Sequence, residues 1–234
     1  MPHSGRKLDG AGGTLQGVGV VVGAVSVAAV LTAAALATGA QAKEAGCTGR
    51  VVPDAGHGGS DSGAVDAKYG LVEKEQTLDV ARRLETLLEA DGNAVCMTRT
   101  GDEILSNNGR YAYANTTRAE VLVPVRMNGS SDPGTNYTTT LLGKWRKDKE
   151  LAHAVFDGLS TLPAAGGAGT MRTRTPYSFA SGVLFKSDMP ATIAETVFIT
   201  SEAEGRLLSD STGARQQQIA RALKIGIEDY LATH

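Results

Sequence analysis

The chain has 234 residues, 41% of them apolar and 21% charged, with a formal net charge of -2, a globular composition that excludes a fibrous or disordered chain. No long basic run occurs, so nucleic acid is not an expected partner. The two cysteines, Cys47 and Cys96, have no second Cys or His at ligand spacing and do not suggest a cysteine-based zinc site.

The first 42 residues read as a separate region. Their only charged residues are Arg6, Lys7 and Asp9, and positions 17–40 hold only Val, Ala, Leu, Gly, Ser and Thr. A basic start, an apolar middle and the triplet Ala40-Gln41-Ala42 follow the order of a secretory signal peptide cleaved before Lys43. The apolar run also approaches the ~20 residues that span a bilayer, so an uncleaved N-terminal membrane anchor is the alternative. Either way residues 43–234 are exported to the extracellular, cell-wall or periplasmic side, and a membrane is met only through the N-terminal segment. Both cysteines then lie in an oxidising compartment, near neighbouring predicted strands. A disulfide and two free thiols both remain open.

Residues 43–234 alternate between strand and helix periodicity. They are expected to form a single monomeric α/β domain, a mostly parallel twisted sheet with helices on both faces. A short buried strand is predicted over 50–54. A helix over 74–90 follows, with Leu78, Ala81, Leu84 and Leu88 on one face, and Asp91-Gly92 stops it. A second strand is predicted at 94–98. Ser106 is placed to cap a helix running to about 118, and 121–125 is continuously apolar, as a strand covered on both faces is. Further strands are predicted at 137–142, 183–186 and 191–198. Helices are predicted at 148–159 and 216–232, the latter with Ile219, Leu223, Ile227 and Leu231 on one stripe. Two loops, 55–72 and 160–182, exceed what connection requires, which marks functional loops.

The first long loop follows a strand end, where open α/β sheets bind their ligands, and it belongs to the stretch Asp54-Ala55-Gly56-His57-Gly58-Gly59-Ser60-Asp61-Ser62-Gly63-Ala64. Neither G-x-G-x-x-G nor G-x-x-x-x-G-K is present, so a nucleotide site is not expected. The glycines instead let the backbone turn tightly around His57. Glu73 stands at the start of the next helix, at the same end of the sheet. A carboxylate there suits the helix dipole, as Glu75 does, or faces a cation. Glu195 lies inside a strand predicted to be buried, where a carboxylate must be paired, hydrogen-bonded or used as a base.

Several separated segments, in order over nearly all of residues 43–234, resemble the zinc-dependent N-acetylmuramoyl-L-alanine amidase family. They are 51–64, Gly70-Leu71-Val72-Glu73-Lys74-Glu75, Thr98-Arg99, Leu105-Ser106 with Arg110, Ala114 and Asn115, the strand through Asn128, and Met189-Pro190-Ala191 to Phe198. The resemblance implies a bacterial cell-wall hydrolase that cuts the amide between N-acetylmuramic acid and L-alanine of peptidoglycan. It also implies Zn2+ as cofactor, His57 and Glu73 as ligands and Glu195 as the catalytic carboxylate. A catalytic zinc takes three protein ligands and keeps one position open for water. Where the family pattern has Ile-His-Ala-Asn, this chain has Val125-Arg126-Met127-Asn128. The third ligand position therefore carries Arg126, whose guanidinium has no lone pair to give.

Two readings stay open from the sequence. One is an amidase with weakened or altered metal binding. The other is a pseudo-amidase, a peptidoglycan-binding or regulatory module in which Arg126 pairs with Glu73 or Glu195 in place of zinc. His3 lies in the export segment, His234 ends the chain, and His153 is expected as a solvated helix residue, so none is a substitute ligand. Asn128, and Arg172 with Arg174 in the second long loop, are candidate substrate contacts, the arginines for stem-peptide carboxylates.

Overall fold

In the computed structural model, residues 47–234 are described, and the predicted signal or anchor over 1–42 lies outside them. The strands are β1 (Val51–Ala55), β2 (Val65–Asp66), β3 (Leu71–Val72), β4 (Val121–Asn128), β5 (Thr139–Leu142), β6 (Tyr177–Ser178) and β7 (Thr192–Phe198). The helices are α1 (Glu73–Ala90), α2 (Asn107–Thr116), α3 (Trp145–Ser160), α4 (Gly182–Lys186), α5 (Glu202–Leu208) and α6 (Ala214–Leu231). Five strands form one sheet in the order β1-β4-β7-β5-β6, while β2 and β3 make a separate ribbon. All neighbours in the large sheet are parallel except β5 and β7. The expected mostly parallel sheet with helices on both faces is present.

Strand alternation divides the core into two layers. Val51, Val121, Val123 and Val125 face α1, α3 and α6, packing with Leu84, Val155 and Ile219 among others. Val52, Leu122 and Ile193 face the opposite way, toward Ala114 of α2 and Val183 and Leu184 of α4. Each such fully buried Val, Leu or Ile is worth roughly 1.5–3 kcal/mol. On the first face α3 and α6 meet through glycines: a Cβ on Gly158 would lie 2.4 Å from the Ala222 carbonyl oxygen, and one on Gly226 would lie 2.3 Å from that of Ala154. The backbones touch there because no side chain intervenes.

The ends of the described domain are also tied. Arg50 pairs with Glu120 at 2.7 Å and donates to the Leu231 carbonyl at 3.1 Å, joining the start of β1 to the end of α6. Cys47 and Cys96 form a disulfide with a Cα separation of 6.0 Å, which decides the question that spacing alone left open. No helix among the described residues is long and apolar enough to cross a membrane.

Several elements differ from the sequence reading. The stretch 94–98 runs beside β1, with Cys96 N donating to the Val51 carbonyl and Thr98 N to that of Pro53, but it forms only an isolated bridge through Val95. Residues 183–186, predicted as a strand, belong to helix α4. A run of Val-Leu-Phe-Lys is too short for periodicity to decide. Tertiary contacts decide instead, because Lys144 Nζ reaches the carbonyls of Leu184, Ser187 and Met189 at the helix end. The ribbon β2–β3 and helix α5 were absent from the sequence reading, each being shorter than the windows that reveal a period. Ser106 does cap α2, its side chain accepting from Gly109 N at 3.1 Å.

Candidate active site

The backbone after β1 is fixed before any functional side chain is placed. Arg99, buried behind the loop, donates to the carbonyls of Ala55 at 3.0 Å, Gly56 at 2.8 Å and Lys74 at 2.7 Å. Burial, with Arg110 close by, pushes its pKa down to about 10. Arg110 reaches from α2 to the Ala55 and His57 carbonyls, both at 2.7 Å. These bonds hold His57 at φ 59°, a left-handed conformation that a non-glycine residue keeps only when its surroundings enforce it. Gly63 makes room for the ring: a Cβ there would lie 2.6 Å from His57 Cδ2.

The imidazole bridges two carboxylates. Nδ1 lies 3.0 Å from Asp61 Oδ2 and Nε2 lies 3.1 Å from Glu73 Oε1. Glu73, the first residue of α1, is buried, and its oxygens also accept from Met127 N at 2.9 Å and Ala64 N at 2.8 Å. The hydrogen bond to Glu73 raises the His57 pKa against the opposing effect of burial. Glu195 faces the same cleft from β7, where it is the register partner of Arg126 on β4. Burial first, and the charge of Glu73 second, push the Glu195 pKa up to about 7. The cleft has a volume of about 420 Å³ and opens at the carboxyl ends of β1 and β4, with His57, Glu73, Arg126, Asn128 and Glu195 in its lining. A carboxyl group that changes protonation near neutral pH can both take and deliver a proton there.

Arg126 also enters this cleft, but it pairs elsewhere than expected. Its guanidinium lies 3.5 Å from Asp54 Oδ2 through Nη2 and donates from Nη1 to the Val125 carbonyl at 3.1 Å. No hydrogen bond joins it to Glu73, whose oxygens are already engaged, or to Glu195. Asp54 is fully buried on β1, with Oδ1 held at 2.5 Å by both Arg110 Nη1 and Thr98 Oγ1. Oδ2 is the oxygen left for Arg126.

The donor set does not fit a catalytic zinc. His57 and Glu73 converge, but the third side chain at the end of β4 is a cation without a lone pair. No group of three His, Cys, Asp or Glu side chains able to hold a metal occurs among the described residues. A guanidinium ~4 Å from a metal ion would repel it by roughly 4 kcal/mol per pair of unit charges at an effective dielectric of ~20.

The remaining sequence candidates are dispersed. Asn128 lines the cleft, its Oδ1 accepting from Gly129 N at 2.9 Å. Arg172 lines a different cavity of about 540 Å³, walled by Pro133, Met171 and Leu207. Arg174 is turned onto Tyr177, 4.7 Å from its ring centroid, and donates to the Tyr137 hydroxyl at 3.2 Å. Neither arginine is in the cleft lining. His153 is half-buried beside Asp157 and Asp229, in a cavity lined from α3 and the C-terminal region and separate from the cleft. Asp54 and Asp61 were missed as site residues. A carboxylate near the end of a fully apolar strand is the signal that could have marked Asp54, whereas nothing in local sequence marks Asp61 as the imidazole's partner.

Fold and cleft define an open α/β domain with a cleft lined by titratable side chains at the carboxyl ends of its parallel strands, the usual ligand position in such sheets. The chain belongs to the N-acetylmuramoyl-L-alanine amidase family, whose sequence profile matches residues 51–229. It is 30% identical over 222 residues to the N-acetylmuramoyl-L-alanine amidase AmiC of Escherichia coli, covering 78% of this chain and 52% of that one. It is 32% identical over 182 residues to LytC of Bacillus subtilis, an N-acetylmuramoyl-L-alanine amidase, covering 76% and 34%. The chain thus spans about half of the first relative and a third of the second. Among solved structures, the N-acetylmuramoyl-L-alanine amidase AmiC2 of Nostoc punctiforme aligns with TM-score 0.70 at 30% identity, covering 78% of this chain and 96% of that one. An N-acetylmuramoyl-L-alanine amidase of Clostridium difficile 630 aligns with TM-score 0.70 at 28% identity, covering 80% and 98%.

Proposed function

We propose that residues 43–234 are an exported peptidoglycan amidase domain that hydrolyses the amide between N-acetylmuramic acid and the L-alanine of the stem peptide. The observation that carries the reading is Glu195, a carboxyl group with a pKa of about 7 in the cleft of a chain whose family and relatives are named for this reaction. In this reading Glu195 accepts the proton of the attacking water and delivers it to the departing alanine nitrogen, leaving a muramoyl carboxyl group and a free amine. Asn128 contacts the substrate at the cleft rim. Contacts from Arg172 and Arg174 to stem-peptide carboxylates require a substrate that extends past the cleft. Export follows from the signal-like segment over 1–42 and from the extracytoplasmic place of peptidoglycan, and the domain acts as a monomer.

A second reading is favoured by one observation, the guanidinium of Arg126 where a third metal ligand is implied. It is a peptidoglycan-binding domain without turnover. The test is release of new alanine amino termini from purified peptidoglycan, with sedimentation of the protein on the same material. The amidase reading expects release by the natural protein, reduced about 100-fold or more in Glu195→Gln. Binding with no release by the natural protein, with or without added zinc, selects the second reading.

A further inference from the structure

We infer that Arg126 is a built-in replacement for a metal ion, a fixed cation tethered to Asp54 that leaves the cleft with neither the donors nor the charge balance for a divalent metal. Three contacts show that the side chain has a place made for it. Nη2 faces the one Asp54 oxygen that Arg110 and Thr98 leave unused. Nη1 donates to the Val125 carbonyl, which also accepts from Gly56 N at 3.1 Å. The side chain lies over Gly56, where an added Cβ would come within 2.6 Å of Arg126 Cδ and 2.3 Å of Nη1. The arginine side chain is 13% exposed, so its charge is set into the cleft wall.

The charge pattern agrees. Asp54, Asp61, Glu73 and Glu195 bring carboxyl groups to this end of the sheet, and Arg110 and Arg126 bring guanidinium groups paired with the innermost of them, Asp54. Removing Arg126 would leave Asp54 Oδ2 without its cation, whereas a metal held by His57 and Glu73 would add positive charge beside one already present. A guanidinium has no lone pair to offer, so it cannot itself become the missing ligand. Two of its N–H groups are engaged, and the others remain as donors for an acceptor oxygen on a ligand in the cleft.

The experiment uses no peptidoglycan, so its outcome is independent of whether the amide is cleaved. The natural protein and Arg126→His are incubated with excess zinc chloride and desalted, and metal content is measured by plasma mass spectrometry. Thermal unfolding midpoints are recorded with zinc and with EDTA. The natural protein should retain below about 0.1 zinc per chain, with a midpoint that EDTA leaves unchanged. Arg126→His supplies an imidazole and removes a charge, so it should retain close to one zinc per chain, with a midpoint that zinc raises and EDTA returns. Near-stoichiometric zinc on the natural protein overturns the inference, as does a folded Arg126→His that gains no zinc over it. If Arg126→His does not fold, the zinc content of the natural protein decides alone.

Discussion

At the residue scale, the site rests on buried charges that serve different ends. Asp54 and Arg110 fix the loop that carries His57, while Glu195 is left in the cleft without a hydrogen-bonded cation and is correspondingly difficult to ionise. This gives a pH signature. The unfolded chain releases the Glu195 proton near 4.5, but the folded protein keeps it to about 7. The unfolded state therefore binds fewer protons between those values, and the Glu195 contribution to stability is lost as pH rises through them. Glu195→Gln should remove that loss. At pH 8 the variant should be more stable than the natural protein by up to roughly 3 kcal/mol, with the difference shrinking toward zero at pH 4.5. Urea unfolding across this range measures it, and an equal effect at both pH values would contradict the burial of an ionisable Glu195. The positions of His57 at a strand end, Glu73 at a helix start and Glu195 inside a strand were legible in the sequence, because strand and helix periods there are long enough to read. The partner of Arg126 was not. Its pairing with Asp54 depends on which oxygens other groups had already taken, and a linear sequence holds no trace of that.

At the scale of elements, long segments with clear periods were readable and short ones were not. Helices α1 and α6 carry enough turns for an apolar stripe to stand out, and β4 enough apolar residues to show burial on both faces. Helix α4 has five residues and β6 has two, and such pieces take their form from what they pack against. The glycines of α3 and α6 show the opposite limit, since in sequence they look like mere helix weakeners. In the fold, a Cβ on Gly226 would lie within 2.6 Å of Val155 Cα as well as 2.3 Å of the Ala154 oxygen. Both atoms are backbone and cannot rotate away. Gly226→Ala should therefore destabilise by about 1–3 kcal/mol, even though alanine favours a helix by ~1 kcal/mol. Gly167→Ala, with nothing within 4 Å, should change stability by less than about 0.5 kcal/mol. Denaturant midpoints of the two variants check the contrast, and a neutral Gly226→Ala would mean that the helices can separate without cost.

At the scale of the whole molecule, the regular strand–helix alternation made the fold class legible, because a parallel sheet requires a crossover between its strands. The antiparallel entry of β5 was not readable, since neighbour order in a sheet is set by long-range packing. One tie in this architecture governs how the domain can be rewired. Arg50 and Leu231 are hydrogen-bonded at 3.1 Å, so the first and last of the described residues lie side by side at the amino end of β1, away from the carboxyl end where the cleft opens. A circularly permuted protein is then within reach, with a short flexible linker from His234 to Cys47 and new ends cut between Gly166 and Gly167, both exposed. It should show the far-ultraviolet circular dichroism of the uncut domain and still unfold in one cooperative transition. The same geometry gives the domain a back end: cargo joined directly before Cys47 or after His234 would trail behind the cleft and leave its mouth clear.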